Sequence, residues 1–355
     1  MSETPEYRPE QKFGKFESEY RDAKGNVLCV AKFEIVSDPS TNNSNPILKS
    51  LKLEATDKSG QRKDVDILAM ANPHGFKINM IRGDGMCLSP FKTITAPPPQ
   101  NQLDLAVLLH ELGHGDQTFE KKYQELDTVA IRQEQLKSCL LYPDKPLIEL
   151  LNSIAQLIPI GKEMLDKIPA DTLRWLETVL KTEIKALDDE TIQHSNTYHK
   201  LYEEYKALNQ QLAESDPDEE QELIDNLIKR LEEKEQEMME IEQQDEETER
   251  KRKKIEAKIK EIIKQYQIAE ILSLPIKLIE QDATRRAMNW LLQIKESGID
   301  LFPELLAETK TLRGREHEPN SHTRTSIAER MYEWLKSYEP QNPDDPTTIE
   351  INGEK

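Results

Sequence analysis

Apolar and polar residues alternate along the first quarter of the chain, the pattern of half-buried β-strands. Clusters of Gly, Pro, Asn and Asp, which favour turns, separate the alternating runs. The pattern predicts strands over residues 27–36, 47–55, 65–70 and 76–81. We therefore expect four or five antiparallel strands within residues 21–96, preceded by a polar, disordered segment over residues 1–20.

From residue 101 to about residue 338 the apolar residues recur every three or four positions, which predicts helices. One such seam continues from Ile224 to Ala269, although its middle is polar at Thr248 and Arg252. A matching seam precedes it over residues 194–212, and Pro217 lies in the break between them. Two seams joined by a tight break predict an antiparallel helical hairpin of coiled-coil type over residues 186–267.

Charge and composition exclude several classes of protein. The chain has 67 acidic and 48 basic residues, a net charge of −19, which argues against nucleic-acid binding because that needs a basic surface. No apolar run reaches the roughly 18–20 residues of a membrane span, so we expect no integral membrane segment. Three widely spaced cysteines and a polar, acidic N-terminus predict a cytoplasmic protein without a disulfide framework.

One short run carries recognisable chemistry. Residues 110–114 read His-Glu-Leu-Gly-His, an HExxH motif that follows an apolar helical stretch. A helix places His110 and His114 on one face, so both imidazoles can bind one Zn²⁺. Glu111 can then act as the general base towards a water molecule.

A catalytic zinc site needs a third protein ligand. The extended motif HExxHxxGxxH/D is excluded because Gln117 stands at its glycine position, which leaves a distant glutamate. Acidic residues are so abundant that composition alone leaves many candidates, among them Glu120, Glu125 and Glu149. Glu280 meets one further condition, since it lies among apolar residues of a segment that can dock against the first helix.

Three patches together resemble a known family. The patches are HELGH, the later Glu280-Gln281-Asp282-Ala283, and a late histidine upstream of an arginine. This set resembles the motifs of the gluzincin metallopeptidases that are grouped with the CAAX prenyl proteases and HtpX. The second patch, with Leu-Pro before it and Arg-Ala after it, also resembles the second motif of YugP-type neutral zinc peptidases. The resemblance covers about 100–130 residues and leaves out the β region and the hairpin.

The resemblance implies a set of site residues and one Zn²⁺ per chain. It implies that His110, His114 and Glu280 bind the zinc ion and that Glu111 is the base. It further implies that His322 supports the oxyanion, and a role as a helix cap is the alternative for this histidine.

The chain departs from the family pattern at three places. Thr284 stands where HtpX-like proteins have an acid that steadies a ligand histidine, so that role passes to Thr284, Asp282 or another group. Thr323 replaces the proline after His322, and Arg330 follows that histidine by eight residues instead of about six. The 166 positions from His114 to Glu280 are also more than usual, which we interpret as insertion of the hairpin.

The expected fold class is α+β, with an N-terminal antiparallel β region and a mainly helical, zincin-like metallopeptidase domain. This domain is predicted over residues 97–185 and 268–338, with the hairpin inserted and a disordered acidic tail over 339–355. The expected function is hydrolysis of peptide bonds in a peptide or protein substrate. The alternative is a catalytically silent or self-inhibited regulatory protein that binds a protein partner through the hairpin.

Overall fold

The computed structural model describes residues 13–39, 45–56, 60–81, 86–88, 91–131, 147–215, 221–313 and 322–337. The chain forms an α+β structure of two compact units. The sheet unit contains Met1–Thr128 and Lys277–Lys355, and the hairpin unit contains Val129–Ile276. The predicted tail over 339–355 and the first twelve residues lie outside the described residues.

Seven strands form one sheet in the order β1-β2-β3-β5-β7-β6, with β4 paired to β3. All pairs are antiparallel except β5 with β7, which is parallel. The prediction of four or five antiparallel strands is therefore too low and misses the parallel pair. The predicted strands leave out β6 and β7, which have three and four residues. The strands are β1 Gly14–Arg21, β2 Val27–Ser37, β3 Pro46–Thr56, β4 Arg62–Asp66, β5 Lys77–Met80, β6 Met86–Leu88 and β7 Thr93–Ala96.

Strand β1 corrects the prediction that residues 1–20 are disordered, because it begins at Gly14. Its inward side chains alternate along the strand, and Phe16 and Tyr20 are fully buried in the core. The hydroxyl of Tyr20 donates a hydrogen bond of 2.9 Å to the carbonyl oxygen of Pro99. Burial of two aromatic rings offsets the polar composition that suggested disorder.

A short helix replaces the strand predicted over residues 65–70. Strand β4 ends at Asp66, and helix α1 runs from Ile67 to Ala71. The carboxylate of Asp66 accepts a hydrogen bond from the backbone N–H of Ala69, the usual contact of a helix N-cap. The strand therefore ends at Asp66, although the apolar residues alone predicted that it continues to residue 70.

The remaining helices divide between the two units. Helices α2, α3, α10 and α11 belong to the sheet unit, and α4 to α8 belong to the hairpin unit, while α9 crosses the boundary at residue 277. Among the described residues, no helix has the length and apolar character needed to cross a membrane. Their bounds are α2 Gln102–Gln117, α3 Lys121–Asp127, α4 Leu147–Leu157, α5 Pro159–Leu165, α6 Ala170–Thr178, α7 Lys185–Glu214, α8 Gln221–Gln265, α9 Ile268–Glu296, α10 Phe302–Arg313 and α11 His322–Ser337.

The hairpin unit contains the two long helices that the seam pattern predicts. Helices α7 and α8 pack along each other, and Leu208, Leu227 and Leu231 form a buried cluster between them. The unit is larger than the predicted hairpin of residues 186–267, because α4, α5, α6 and a π-helical segment, Val179–Ile184, belong to it. Residues 147–184, expected in the peptidase domain, therefore group with the hairpin.

The sheet unit places α2 in its interior. Alternate residues of β2, from Cys29 to Ile35, are buried on one face of the sheet and share one core with apolar residues of α2, α9, α10 and α11. Nearly every residue of α2 is buried, including the polar Gln102 and Asp104 of its first turn. The HExxH helix is therefore held on several sides by packing.

Candidate metal centre

Two helices of the sheet unit bring the predicted ligands together. The side chain of Asn101 accepts a hydrogen bond from the N–H of Asp104 and caps α2, which carries His110 and His114 one turn apart. Helix α9 carries Glu280. The two helices touch at Gly113, where a Cβ atom would lie 2.7 Å from the carbonyl oxygen of Ala283. Only glycine permits this approach of the backbones.

The distances between the three side chains match the geometry of a tetrahedral metal site. The two Nε2 atoms of His110 and His114 are 3.1 Å apart. Glu280 places Oε2 3.3 Å from Nε2 of His110 and Oε1 3.4 Å from Nε2 of His114. Two ligands at the usual zinc distance of about 2.0–2.1 Å in a tetrahedron are about 3.3 Å apart. The residues present therefore fit a metal ion of this size.

Thr284 orients the ring of His110. Its hydroxyl donates to the backbone carbonyl of Glu280 at 3.0 Å, so the oxygen accepts from Nδ1–H of His110 at 3.2 Å. The proton on Nδ1 leaves the lone pair of Nε2 free to face Glu280. Thr284 therefore fills the place at which the family pattern has an acid.

Gln117 orients the ring of His114 in the same sense. Its amide nitrogen donates to the carbonyl of Ile279 at 2.8 Å and to Oδ2 of Asp282 at 3.0 Å. The amide oxygen must therefore accept from Nδ1–H of His114, 3.1 Å away. Both histidines thus turn the lone pair of Nε2 towards the carboxylate of Glu280, and three acceptor atoms surround the space between the side chains.

The pKa values of the three groups reflect this convergence. Burial lowers the pKa of His110 to about 4, so its imidazole is neutral at pH 7. Burial alone would also lower the pKa of His114, but a proton on Nε2 can be donated in a hydrogen bond to the negatively charged Glu280, and this interaction outweighs burial and raises that pKa. Burial opposes ionisation of Glu280, yet the hydrogen bonds that its carboxylate accepts from the histidines when their Nε2 atoms are protonated hold its pKa well below the ordinary range.

Two arginines extend the polar network around the centre. Arg330 of α11 donates from Nη2 to Oε2 of Glu280 at 2.7 Å and from Nε to the hydroxyl of Thr284 at 3.4 Å. Arg286 of α9 pairs with Asp282 at 2.6 Å and also contacts Asp116. Arginine therefore stabilises both the carboxylate that lies in the cluster and the carboxylate that holds Gln117.

The predicted catalytic residues have different outcomes. Glu111 is buried on α2, and its negative charge acts on both His114 and Cys87, which lies on β6. Helix α11 begins at His322, but the side chain of this residue lies outside the described residues. Among the described side chains of α11, Arg330, which is part of the family resemblance, reaches the cluster.

The other acids considered as third ligands lie elsewhere. Glu120 pairs with Arg286, and Glu125 lies 3.4 Å from Lys121 on the exposed side of α3. Glu149 belongs to α4 of the hairpin unit. Within the described residues, His110, His114 and Glu280 are the one group of three that could hold a metal ion.

Sequence reasoning missed the role of Gln117, which entered only as an exclusion of the extended motif. Its position three residues after His114 on the same helix was a usable signal, because residues at this spacing share a face. Arg286, four residues after Asp282 on α9, could have been found by the same rule. Comparisons with protein families, curated proteins and solved structures found no match.

Proposed function

We propose that this protein is a zinc-dependent metallopeptidase. The observation that supports the proposal is the convergence of His110 and His114, on the helix that carries HExxH, with Glu280 of α9 at distances suited to one metal ion. Three protein ligands leave one position for water or substrate, which is typical of catalytic zinc sites, whereas structural sites use four. A zinc ion bound there would polarise the carbonyl of a peptide bond and activate a water molecule.

Glu111 is proposed as the general base. It follows His110 directly on α2 and is buried, and its charge influences His114. A carboxylate at this place can take a proton from the attacking water and pass it to the amine that leaves. A purely structural metal site has no use for such a base, which favours the enzyme over the silent alternative.

The edge of the sheet offers a place for substrate. Strand β6 lies at one end of the strand order and pairs with β7, and α2 packs against both strands. Within the described residues, the other edge of β6 has no strand partner. An extended peptide can add to such an edge through backbone hydrogen bonds. The charge of Glu111 acts on Cys87 of this strand, so a peptide bound there would lie close to the base.

The proposal is tested with Glu111→Gln in the full chain. We expect the wild type and the variant each to bind one zinc ion per chain, and the variant to cleave an unfolded protein substrate about 10²–10⁴-fold more slowly. Glu125→Gln changes a half-buried acid on α3 that pairs with Lys121, and as the matched control it should leave cleavage unchanged.

Equal cleavage by Glu111→Gln and the wild type would contradict the proposed role of Glu111. Zinc-loaded wild type without cleavage of any substrate would instead favour the regulatory alternative, in which the hairpin binds a protein partner. Binding of a partner should then be insensitive to Glu111→Gln.

A further inference from the structure

We infer that Asp282 is a positioning residue of the metal centre and acts on His114 through the amide of Gln117. This inference rests on the proposed zinc site but not on peptide hydrolysis. The carboxylate of Asp282 holds the amide in one orientation, and the amide oxygen then holds the proton of His114 on Nδ1. Nε2 of His114 thereby keeps its lone pair for the metal.

The amide of Gln117 has two orientations of almost the same shape. In the observed one, the nitrogen faces two acceptors, the carbonyl of Ile279 and the carboxylate of Asp282. The reversed orientation would place the amide oxygen against those two acceptors and the amide nitrogen against Nδ1 of His114. The imidazole would then carry its proton on Nε2, and a protonated nitrogen cannot bind zinc. The orientation of one buried amide therefore decides whether His114 is a ligand.

The carboxylate of Asp282 is held in place by charged donors. It accepts hydrogen bonds from Arg286 and Arg285 as well as from the amide of Gln117. A hydrogen bond to a charged acceptor is roughly twice as strong as one between neutral groups. Asp116 of α2 also pairs with Arg286. Arg286 therefore links the carboxylate of Asp282 to α2, the helix that carries His114.

His110 provides an internal reference within the same site. Its Nδ1–H is accepted by the hydroxyl of Thr284, which donates to the backbone carbonyl of Glu280. Neither of these two hydrogen bonds involves Asp282 or Gln117. A change at Asp282 should therefore alter the tautomer of His114 and leave that of His110 unchanged.

The first test compares two substitutions of Gln117 by zinc competition with a chelator, using the full chain. Gln117→Met removes the acceptor and should weaken zinc binding by about 10–100-fold. Gln117→Glu keeps an acceptor for Nδ1–H and should bind zinc within a few-fold of the wild type. A role of Gln117 in packing alone predicts the opposite order, because a buried second carboxylate beside Asp282 disturbs packing more than methionine does. That order would overturn the inference.

The second test reads the tautomers directly by ¹⁵N NMR of the metal-free protein at about pH 9, where ordinary histidines are neutral. The wild type should carry the proton of His114 on Nδ1. Asp282→Ala should move a substantial fraction to Nε2, while His110 keeps its Nδ1 proton. Glu120→Ala removes another partner of Arg286 but leaves the contact between Asp282 and Gln117, so it should behave as the wild type.

An unchanged His114 tautomer in Asp282→Ala would overturn the inference. The result is independent of the proposed function, because the tautomer is measured without metal and without substrate. Failure of the wild type to bind zinc would instead contradict the metal centre, and the two failures can be told apart.

Discussion

Two threonines, one in each unit, are almost equally buried but lie in opposite surroundings. Thr284 of α9 is 4% exposed and Thr248 of α8 is 3% exposed. The hydroxyl of Thr284 contacts His110, the backbone of Glu280 and Arg330. The hydroxyl of Thr248 donates at 3.3 Å to the carboxylate of Glu190, a residue exposed to water.

The comparison shows two uses of a buried hydroxyl. The hydroxyl of Thr284 orients another side chain, whereas that of Thr248 only satisfies its own hydrogen bond. The imidazole of His110 beside Thr284 is buried, so removal of the hydroxyl leaves a buried imidazole N–H without an acceptor. Around Thr248 the partner can exchange its lost bond for water. The polar middle of the hairpin also contains ion pairs, such as Arg252 with Asp188, 2.9 Å apart.

The largest effect should follow Glu280→Ala. The variant loses one of three ligands, so zinc affinity should fall more than about 100-fold, beyond the usual effect of an outer partner. For the wild type, free zinc at a thousand times its Kd should raise the free energy of unfolding by about 4 kcal/mol, and at the same zinc concentration the gain in the variant should fall to about 1.4 kcal/mol or less. Thermal unfolding with and without zinc measures it, and Glu149→Ala is the control. Zinc stabilisation that survives in Glu280→Ala would mean that another acid is the third ligand.

The second prediction applies one substitution to both threonines. Thr284→Val should weaken zinc binding by about 10–100-fold because the ring of His110 loses its acceptor. Thr248→Val should leave zinc binding unchanged and alter the free energy of unfolding by less than about 1 kcal/mol. Titration with a competing chelator and denaturant unfolding measure the two quantities. Equal effects of both substitutions would remove the distinction between the two regions.

The third prediction contrasts two helical glycines. Gly113→Ala should lower the free energy of unfolding by about 1–3 kcal/mol, because its Cβ would meet a backbone oxygen of Ala283 at 2.7 Å. At Gly161 of α5 the nearest atom is a side-chain methyl of Leu274 at 3.3 Å, which can move. Gly161→Ala should therefore be neutral or stabilise the helix by up to about 1 kcal/mol. Chemical denaturation tests both, and a stabilised Gly113→Ala would show that α2 and α9 do not approach so closely.

The smallest effect concerns pH and the two histidines of the sheet unit. His110, with its pKa lowered to about 4, binds zinc at neutral pH without losing a proton. The raised pKa of His114 means that zinc must displace a proton there as pH falls, so the Kd should rise about tenfold per pH unit below that pKa. Calorimetry in buffers of different ionisation enthalpy measures the proton release. Release that begins only near pH 4 would assign the competing proton to His110 instead.

Local patterns predicted much of the fold, and their failures have identifiable causes. The alternation in β2 and β3 and the seams of α7 and α8 are long enough to be read without tertiary contacts. Strand β1 was missed because one of its three inward residues, Ser18, is polar and breaks the apolar alternation between Phe16 and Tyr20, and α1 was missed because a single capping aspartate ended a strand pattern. Sequence patterns carry no pairing information for strands as short as β6 and β7.

The sequence by itself determined that His110 and His114 share a helix face, because that relation depends only on a four-residue spacing. It also placed Glu280 in an apolar helix, but did not decide the choice among many acids. The tertiary structure made that choice through the contact of α2 and α9 at Gly113. It also decided how each histidine is oriented, since Thr284 and Asp282 lie more than 160 positions from the residues they act on. Such contacts depend on how helices pack, which no local pattern specifies.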